Sequence, residues 1–196
     1  MRQLKGLFAF SLLVSLIACL SEDQQGEVDM YFDMEQLTAQ QVHLLNAMHA
    51  SIEKKAVLDG VEETIVYTPD TTNWRHELEV FSVANINKAI YKGSYTFYDE
   101  TDIKSNLTIR TYTHIDTTEA RIPWMKVYFL NNPDHYHQVE LKYKEENKVY
   151  QLERLLSMSF EDINDQMVLS SYSVQGHQEV IGDKSIAFEV HALIDL

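Results

Sequence analysis

Between residues 32 and 58, mostly apolar positions recur at three- and four-residue spacing. The members of this stripe are Leu37, Gln41, Leu44, Leu45, Met48 and Ile52. Such spacing places the side chains on one face of a helix, which can then pack against a core. Gly60 follows, at a position where a helix commonly stops. The pattern therefore predicts a helix over residues 32–58.

A second helix is predicted shortly after Pro69. Trp74, Leu78, Phe81 and Asn85 are spaced by four, three and four residues, again along one helical face. The candidates for its N-terminal cap are Thr71, Thr72 and Asn73. A strand over residues 78–83 is the alternative, because β-branched residues occur there. A short strand is predicted over residues 62–68, between the two helices.

From residue 91 onward the hydrophobic period falls to about two, which indicates strands. The predicted strands cover residues 95–97, 107–111, 124–130, 139–143, 149–160, 167–174, 178–181 and 186–193. Turn residues separate them, most clearly at 131–134, 145–147 and 181–184. Consecutive strands joined by short turns form an antiparallel meander.

These elements predict an α+β fold, with one or two N-terminal helices packed on a curved antiparallel β-sheet. One face of the sheet is expected to be buried under the helices. With this many strands the sheet should curve strongly, and a half-barrel is the alternative to an open meander.

The N-terminus has the composition of an export signal. Arg2 and Lys5 precede an apolar run over residues 7–17, which is shorter than the ~20 residues that a membrane-spanning helix needs. Small Ala18 and then Cys19, the single cysteine of the chain, follow this run. A basic start, an apolar core and a small residue before the cleavage point are the parts of a secretory signal peptide.

The residues Leu16-Ile17-Ala18-Cys19 resemble the lipobox of bacterial lipoproteins. The resemblance implies cleavage between Ala18 and Cys19 and acyl chains, such as palmitate, on Cys19. The implied parts are a lipoprotein signal peptide (1–18), a flexible acidic tether (19–28) and a single α+β domain (29–196). The membrane is then a partner through the lipid anchor on Cys19. An ordinary secretory peptide with a chance cysteine is the alternative.

The acidic residues that follow Cys19 resemble the surface-export signals of Bacteroidota lipoproteins. Residues 73–78, 85–88 and 172–181 resemble stretches of lipoproteins from the same group. The resemblance implies a cell-envelope location at the outer membrane, on its periplasmic face or at the cell surface, and it implies no activity. A looser likeness in element order links the chain to half-barrel lipoprotein carriers, which hold acyl chains.

The chain is strongly acidic: 16 Lys and Arg residues against 30 Asp and Glu residues give a net charge of −14. This charge argues against nucleic acid as a partner, because nucleic-acid binding needs a basic patch. It also disfavours lying flat on anionic lipid. Since lipid is expected on the only cysteine, the domain should have no intrachain disulfide and should depend on its core.

One pair of residues is a candidate metal site. His135 and His137 are two residues apart and would point the same way in a regular strand. Zinc would need one or two further ligands, for which Asp134, Glu140 and His114 are candidates. The alternative is a polar strand start with both rings in solvent. No cofactor and no catalytic residue is predicted, because the chain contains no nucleophile elbow, phosphate loop or His-Glu-x-x-His motif.

The function predicted from these features is that of a lipid-anchored envelope protein, a non-enzymatic binding or structural module. One alternative is a carrier of an apolar ligand in a cavity between sheet and helices. Another is a metal-binding protein or enzyme that uses His135 and His137. The many aromatic residues offer rigid contact area for sugars, acyl chains or proteins, although sheets favour aromatics in any case. Thr71 and Thr117 lie in Asp-Thr-Thr triplets that resemble Bacteroidota O-glycosylation sites.

Overall fold

A computed structural model of the chain describes residues 30–180 and 185–196. Within this part, two α-helices, α1 (Met34–Ala47) and α2 (Thr71–Ser82), accompany nine strands and a short 3-10 helix (Ala89–Tyr91). The strands are β1 (Ser51–Leu58), β2 (Val61–Tyr67), β3 (Tyr95–Thr101), β4 (Thr108–His114), β5 (Trp124–Phe129), β6 (Tyr136–Glu146), β7 (Tyr150–Ile163), β8 (Gln166–Val180) and β9 (Ile186–Asp195).

All nine strands belong to one antiparallel sheet in the order β2-β1-β9-β8-β7-β6-β5-β4-β3. Strands β3 to β9 form a meander, and the β1–β2 hairpin extends the sheet on the far side of β9. The sheet is curved and open, with β2 and β3 as its edges. The predicted α+β class, with helices on a curved antiparallel meander, is confirmed.

The first helix is shorter than predicted. Helix α1 ends at Ala47, and residues 51–58, which the prediction assigned to the helix, form β1. His49 adopts a positive φ of 53° just past the C-cap. The N–H of Ala50 then donates to the carbonyl of Leu45, and the N–H of His49 donates to that of Asn46. These two bonds are a Schellman motif, which ends a helix and satisfies its last carbonyls.

Two tight hairpin turns separate neighbouring strands, and the prediction missed the first of them. Asp59 and Gly60 both have positive φ between the paired residues Leu58 and Val61. Asn164 and Asp165, between β7 and β8, also both have positive φ. Two central residues with positive φ are the requirement of a type I′ turn, whose twist matches the flanking strands. Gly60 therefore belongs to a β-hairpin and not to a helix end.

Strand β8 is one continuous element over Gln166–Val180, where the prediction had two separate strands. It pairs with β7 along its whole length, and a register shift between Ser159 and Phe160 accommodates one extra residue. A bulge of this kind bends and twists a strand without ending it. The turn predicted at residues 181–184 lies outside the described residues.

The second predicted helix is present as α2, and its strand alternative is wrong. The cap is Asp70, whose side chain accepts a hydrogen bond from the backbone N–H of Asn73 at 2.8 Å. The predicted caps Thr71, Thr72 and Asn73 are instead the first three helical residues. An aspartate at this position satisfies a free N–H and suits the positive end of the helix.

The core lies between the two helices and one face of the sheet. On that face Met125, Leu141, Leu156 and Val174 stand side by side across β5 to β8, and all four are buried. From the helices, Leu45, Trp74, Leu78 and Phe81 pack against this face and are almost fully buried. The opposite face is polar, because Glu140, Ser157, Ser173 and His191 follow one another there.

Candidate functional site

A cleft of about 690 Å³ opens on the helix-bearing side of the sheet. Five segments that are distant in sequence form it: residues 30–40, the loop after α2 with Asn87, strand β4, the β5–β6 turn and the β7–β8 turn. The segment before α1 packs on this part of the sheet, where the ring of Tyr31 contacts those of Tyr95 and Tyr112. The volume is within the range of ~300–1,000 Å³ that ligand pockets occupy.

The floor of the cleft is aromatic. Tyr31, Tyr112 and Tyr136 are nearly buried, and Phe32 is half-buried. Phe32 meets the ring of Tyr136 edge to face, with 6.0 Å between the ring centroids, and Tyr31 meets Tyr112 in the same way at 6.1 Å. Edge-to-face packing of this kind gives the floor a defined shape. Burial also raises the pKa of Tyr112 and Tyr136, so both are neutral phenols at ordinary pH.

The rim of the cleft is polar and exposed. Its side chains are those of Gln36, Gln40, Asp134, His135, Asp165 and Gln166. Gln36 and Gln40 are four residues apart on α1 and therefore share a helical face. Asp165 is held in the type I′ turn between β7 and β8. The rim groups thus come from a helix and from tight turns, which fixes their positions relative to one another.

Arg110 is a positively charged side chain that lines the cleft, but it is already paired with a carboxylate. Arg110 donates from Nε and from a terminal nitrogen to the two carboxylate oxygens of Asp99, each at 2.8 Å. Its guanidinium also lies over the rings of Phe97 and Phe129, at 4.8 and 5.6 Å from their centroids. The hydrogen bonds from Arg110 hold the pKa of Asp99 below its usual range. A bidentate pair stacked in this way orders the cleft wall.

The segment that leads into the cleft is clamped by two asparagines. Asn87 accepts hydrogen bonds from the backbone N–H groups of Met30 and Tyr31, at 3.3 and 3.2 Å. Asn85 accepts from the N–H of Met34 at 3.2 Å. Both side-chain amides donate to the carboxylate of Asp33, which also caps α1. These bonds join the start of the described chain to the loop after α2.

Helix α1 is joined to the sheet by one buried side chain. Gln41 is fully buried, and its amide donates to the carbonyl of Met167 at 2.8 Å. Its carbonyl oxygen accepts from the N–H of Leu169, also at 2.8 Å. Strand β9 pairs with β8 only from Ser171 onward, so β9 does not reach these two backbone groups. Gln41 takes the place of a neighbouring strand at this point.

A second polar cluster holds α2. Glu77 accepts hydrogen bonds from Lys54 Nζ at 2.6 Å, from the Tyr67 hydroxyl at 2.6 Å and from the Tyr172 hydroxyl at 2.5 Å. Burial alone would raise the pKa of Glu77, but the bonds from Lys54, Tyr172 and Tyr67 outweigh it and lower that pKa. Burial, followed by the bond to Glu77, raises the pKa of Tyr67 to about 12. This saturated cluster joins α2 to β1, β2 and β8.

The two histidines predicted as a metal pair have different surroundings. His135 lies in the turn before β6 and lines the cleft, whereas His137 does not. Tyr128 pairs with Gln138 and Phe129 with Tyr136, so His137 is the extra residue of a β-bulge. Strict alternation, on which the prediction depended, therefore fails here. Within residues 30–180 and 185–196 no three His, Cys, Asp or Glu side chains are grouped to hold a metal ion.

The residues predicted for cleavage, lipidation and glycosylation are described by the structure only in part. Ala18 and Cys19, with the predicted signal peptide and tether, lie outside the described residues. Thr117 is exposed in the loop between β4 and β5. Thr71 is the first residue of α2. Both glycosylation assignments stay predictions.

Sequence reasoning did not find the cleft, the Asn85–Asn87 clamp or the role of Gln41. The available signal was Gln41 itself, because a glutamine within an otherwise apolar stripe must find partners when it is buried. The cleft had no local signal, since its walls come from five separate segments.

Comparison with protein-family models, curated proteins and solved structures finds no match to this chain. Neither helix in the described part of the chain has the length and apolar character needed to cross a membrane.

Proposed function

We propose that this chain is a lipid-anchored cell-envelope protein whose domain binds a partner without catalysis, with the cleft as its binding site. The observation that carries the anchor is the single cysteine at the end of Leu16-Ile17-Ala18-Cys19, after a short apolar run with basic residues before it. The proposed location is the outer membrane, on its periplasmic face or at the cell surface.

The cleft supports the binding role. Its floor is buried and aromatic while its rim is exposed and polar, and this combination is typical of sites that orient a ligand by a few polar groups. The space between α1, α2 and the sheet is different, because side chains such as Leu45, Trp74 and Met158 fill it. That region therefore gives no support to the carrier alternative.

The anchor and the cleft are close along the chain. Met30, which lines the cleft, is separated from Cys19 by eleven peptide steps, and a segment of this length spans at most about 40 Å. An acylated Cys19 would therefore hold the cleft-bearing end of the domain within that distance of the bilayer. The proposal places the binding site near the membrane surface.

Membrane fractionation tests the anchor. The chain with Cys19→Ala keeps the same folded domain but lacks the thiol that would carry lipid. We expect the unaltered chain in the detergent-extractable membrane fraction and the Cys19→Ala chain in the aqueous fraction. Thr118→Ala, an exposed substitution in the β4–β5 loop, serves as the matched control and should fractionate like the unaltered chain. Equal release of the unaltered and Cys19→Ala chains would contradict the anchor.

A further inference from the structure

The six rim side chains of the cleft have hydrogen-bonding capacity that the protein does not use. Among residues 30–180 and 185–196, the side chains of Gln36, Gln40, Asp134, His135, Asp165 and Gln166 form no hydrogen bond or ion pair. Elsewhere many charged and polar side chains are paired. Glu140, for example, accepts from Tyr128 and Gln138, and Glu153 pairs with Lys142.

The kinds of group on the rim restrict the chemistry of a ligand. Three carboxamides both donate and accept, two carboxylates accept, and the imidazole of His135 offers two ring nitrogens that can bond to hydroxyls. A hydroxyl group also donates and accepts, so a polyhydroxylated ligand can satisfy all of them. An ammonium group only donates and would leave the carboxamide N–H groups without acceptors.

Charge disfavours an anionic ligand. Asp134 and Asp165 stand on the rim, and Asp33 lies behind it. The cation that lines the cleft, Arg110, is already engaged by both oxygens of Asp99. A carboxylate or phosphate would therefore approach like charges, while the positive charge of Arg110 is already offset by Asp99.

The aromatic floor suits the same ligand. Phe32 is half-buried and presents ring surface at the bottom of the cleft, next to Tyr136. The C–H groups of a sugar ring are apolar and can pack on such a surface, while its hydroxyls reach the rim. The volume of about 690 Å³ accommodates a ligand larger than a small metabolite.

We propose that the cleft binds a short neutral oligosaccharide, with Phe32 under a sugar ring and with Gln36, Asp134 and Gln166 bonded to its hydroxyls. The proposal rests on the proposed function, which makes this cleft the binding site. It goes further because it names the class of ligand.

An oligosaccharide array with matched charge classes tests the proposal. The purified full-length chain is applied to neutral, amine-bearing and uronic-acid oligosaccharides of two to six sugars. The best binder is then titrated by calorimetry. The test variant is Gln36→Ala with Gln166→Ala. The control is Gln151→Ala with Gln175→Ala, two exposed glutamines on the opposite face of the sheet.

We expect binding to neutral glycans, at least a tenfold loss of affinity in the rim variant and no loss in the control. Binding confined to charged glycans, with loss in the rim variant, would overturn the ligand class while leaving the cleft as a binding site. Equal loss in the rim variant and the control would overturn the site. Absence of binding to every class at millimolar concentration would overturn the proposal. The fractionation of the Cys19→Ala chain is independent of all these outcomes.

Discussion

The side-chain oxygen of Gln41 accepts a hydrogen bond from the backbone N–H of Leu169, 128 residues later in the chain. The same side chain donates to the carbonyl of Met167. A helix residue thereby completes the hydrogen bonding of β8 beyond the end of β9. The β7–β8 turn, which carries part of the cleft rim, depends on this contact for its position relative to α1.

Replacement of Gln41 by leucine should destabilise the protein by about 1–3 kcal/mol, because two buried backbone groups lose their partners. The side chain keeps a similar size, so the loss comes mainly from hydrogen bonding. Chemical denaturation measures the change, with Gln40→Leu as the control at an exposed neighbouring position. Equal stability of the Gln41→Leu and Gln40→Leu chains would show that the contact contributes nothing.

The Glu77 cluster should make stability depend on pH in the acid range. The pKa of Glu77 is lower in the folded protein than its ordinary value, so the folded state binds the proton more weakly than the unfolded chain. The stabilisation is therefore complete above the ordinary glutamate pKa and is lost as the pH falls through the folded-state pKa.

The Glu77→Gln chain should be less stable than the unaltered chain at pH 7, and the difference should shrink as the pH falls below about 4. Glu79→Gln, an exposed change on the same helix, is the control. Denaturant midpoints between pH 3 and pH 7 measure the effect. A stability difference that stays constant over this range would contradict a charged Glu77 as the cause.

Gly176 should tolerate no side chain. A Cβ atom at this position would overlap the carbonyl oxygen of Glu153 and would lie 2.9 Å from the ring of Phe188. Backbone cannot move aside as a flexible side chain can, so Gly176→Ala should cost about 1–3 kcal/mol of stability. Thermal unfolding compares it with Gln175→Ala, an exposed neighbour. Unchanged stability would mean that the strands do not approach so closely.

The Asn87 clamp should control exchange at the start of the described chain. Asn87→Ala removes the acceptor for the N–H groups of Met30 and Tyr31. Hydrogen exchange at Tyr31 should become faster, because the protection of an amide reflects the free energy of opening its hydrogen bond. Asn73→Ala, at an exposed position in α2, is the control and should leave Tyr31 unchanged. Equal protection of Tyr31 in both chains would contradict the clamp.

Much of the fold could be predicted from the periodic spacing of hydrophobic residues along the chain. The last strand alternates cleanly, and the Trp74–Leu78–Phe81 spacing placed α2 within a few residues of its observed bounds. The error over residues 51–58 has a physical cause. Ile52 continues the helical stripe of α1 by chance. The helix ends at Ala47, and the positive φ that follows falls on His49, a residue without the conformational freedom of glycine. Asp59–Gly60 was the missed signal, because Asp-Gly between apolar runs is a strong predictor of a hairpin.

The candidate site was less predictable than the fold. His135 was named for its spacing to His137, yet it lines the cleft for a different reason, namely its place in the turn before β6. The rim combines residues more than 120 positions apart, such as Gln36 and Gln166. The packing of α1 on the sheet brings such residues together, and hydrophobic period contains no information about contacts between distant segments.

Mass spectrometry of the polypeptide isolated from membranes of its native cell is the most direct measurement of the proposed role. We predict an N-terminal peptide that begins at Cys19 and carries the added mass of acyl chains. Residues 1–18 should be absent. A free thiol on Cys19, or a chain that retains residues 1–18, would contradict the lipid anchor and the envelope location derived from it.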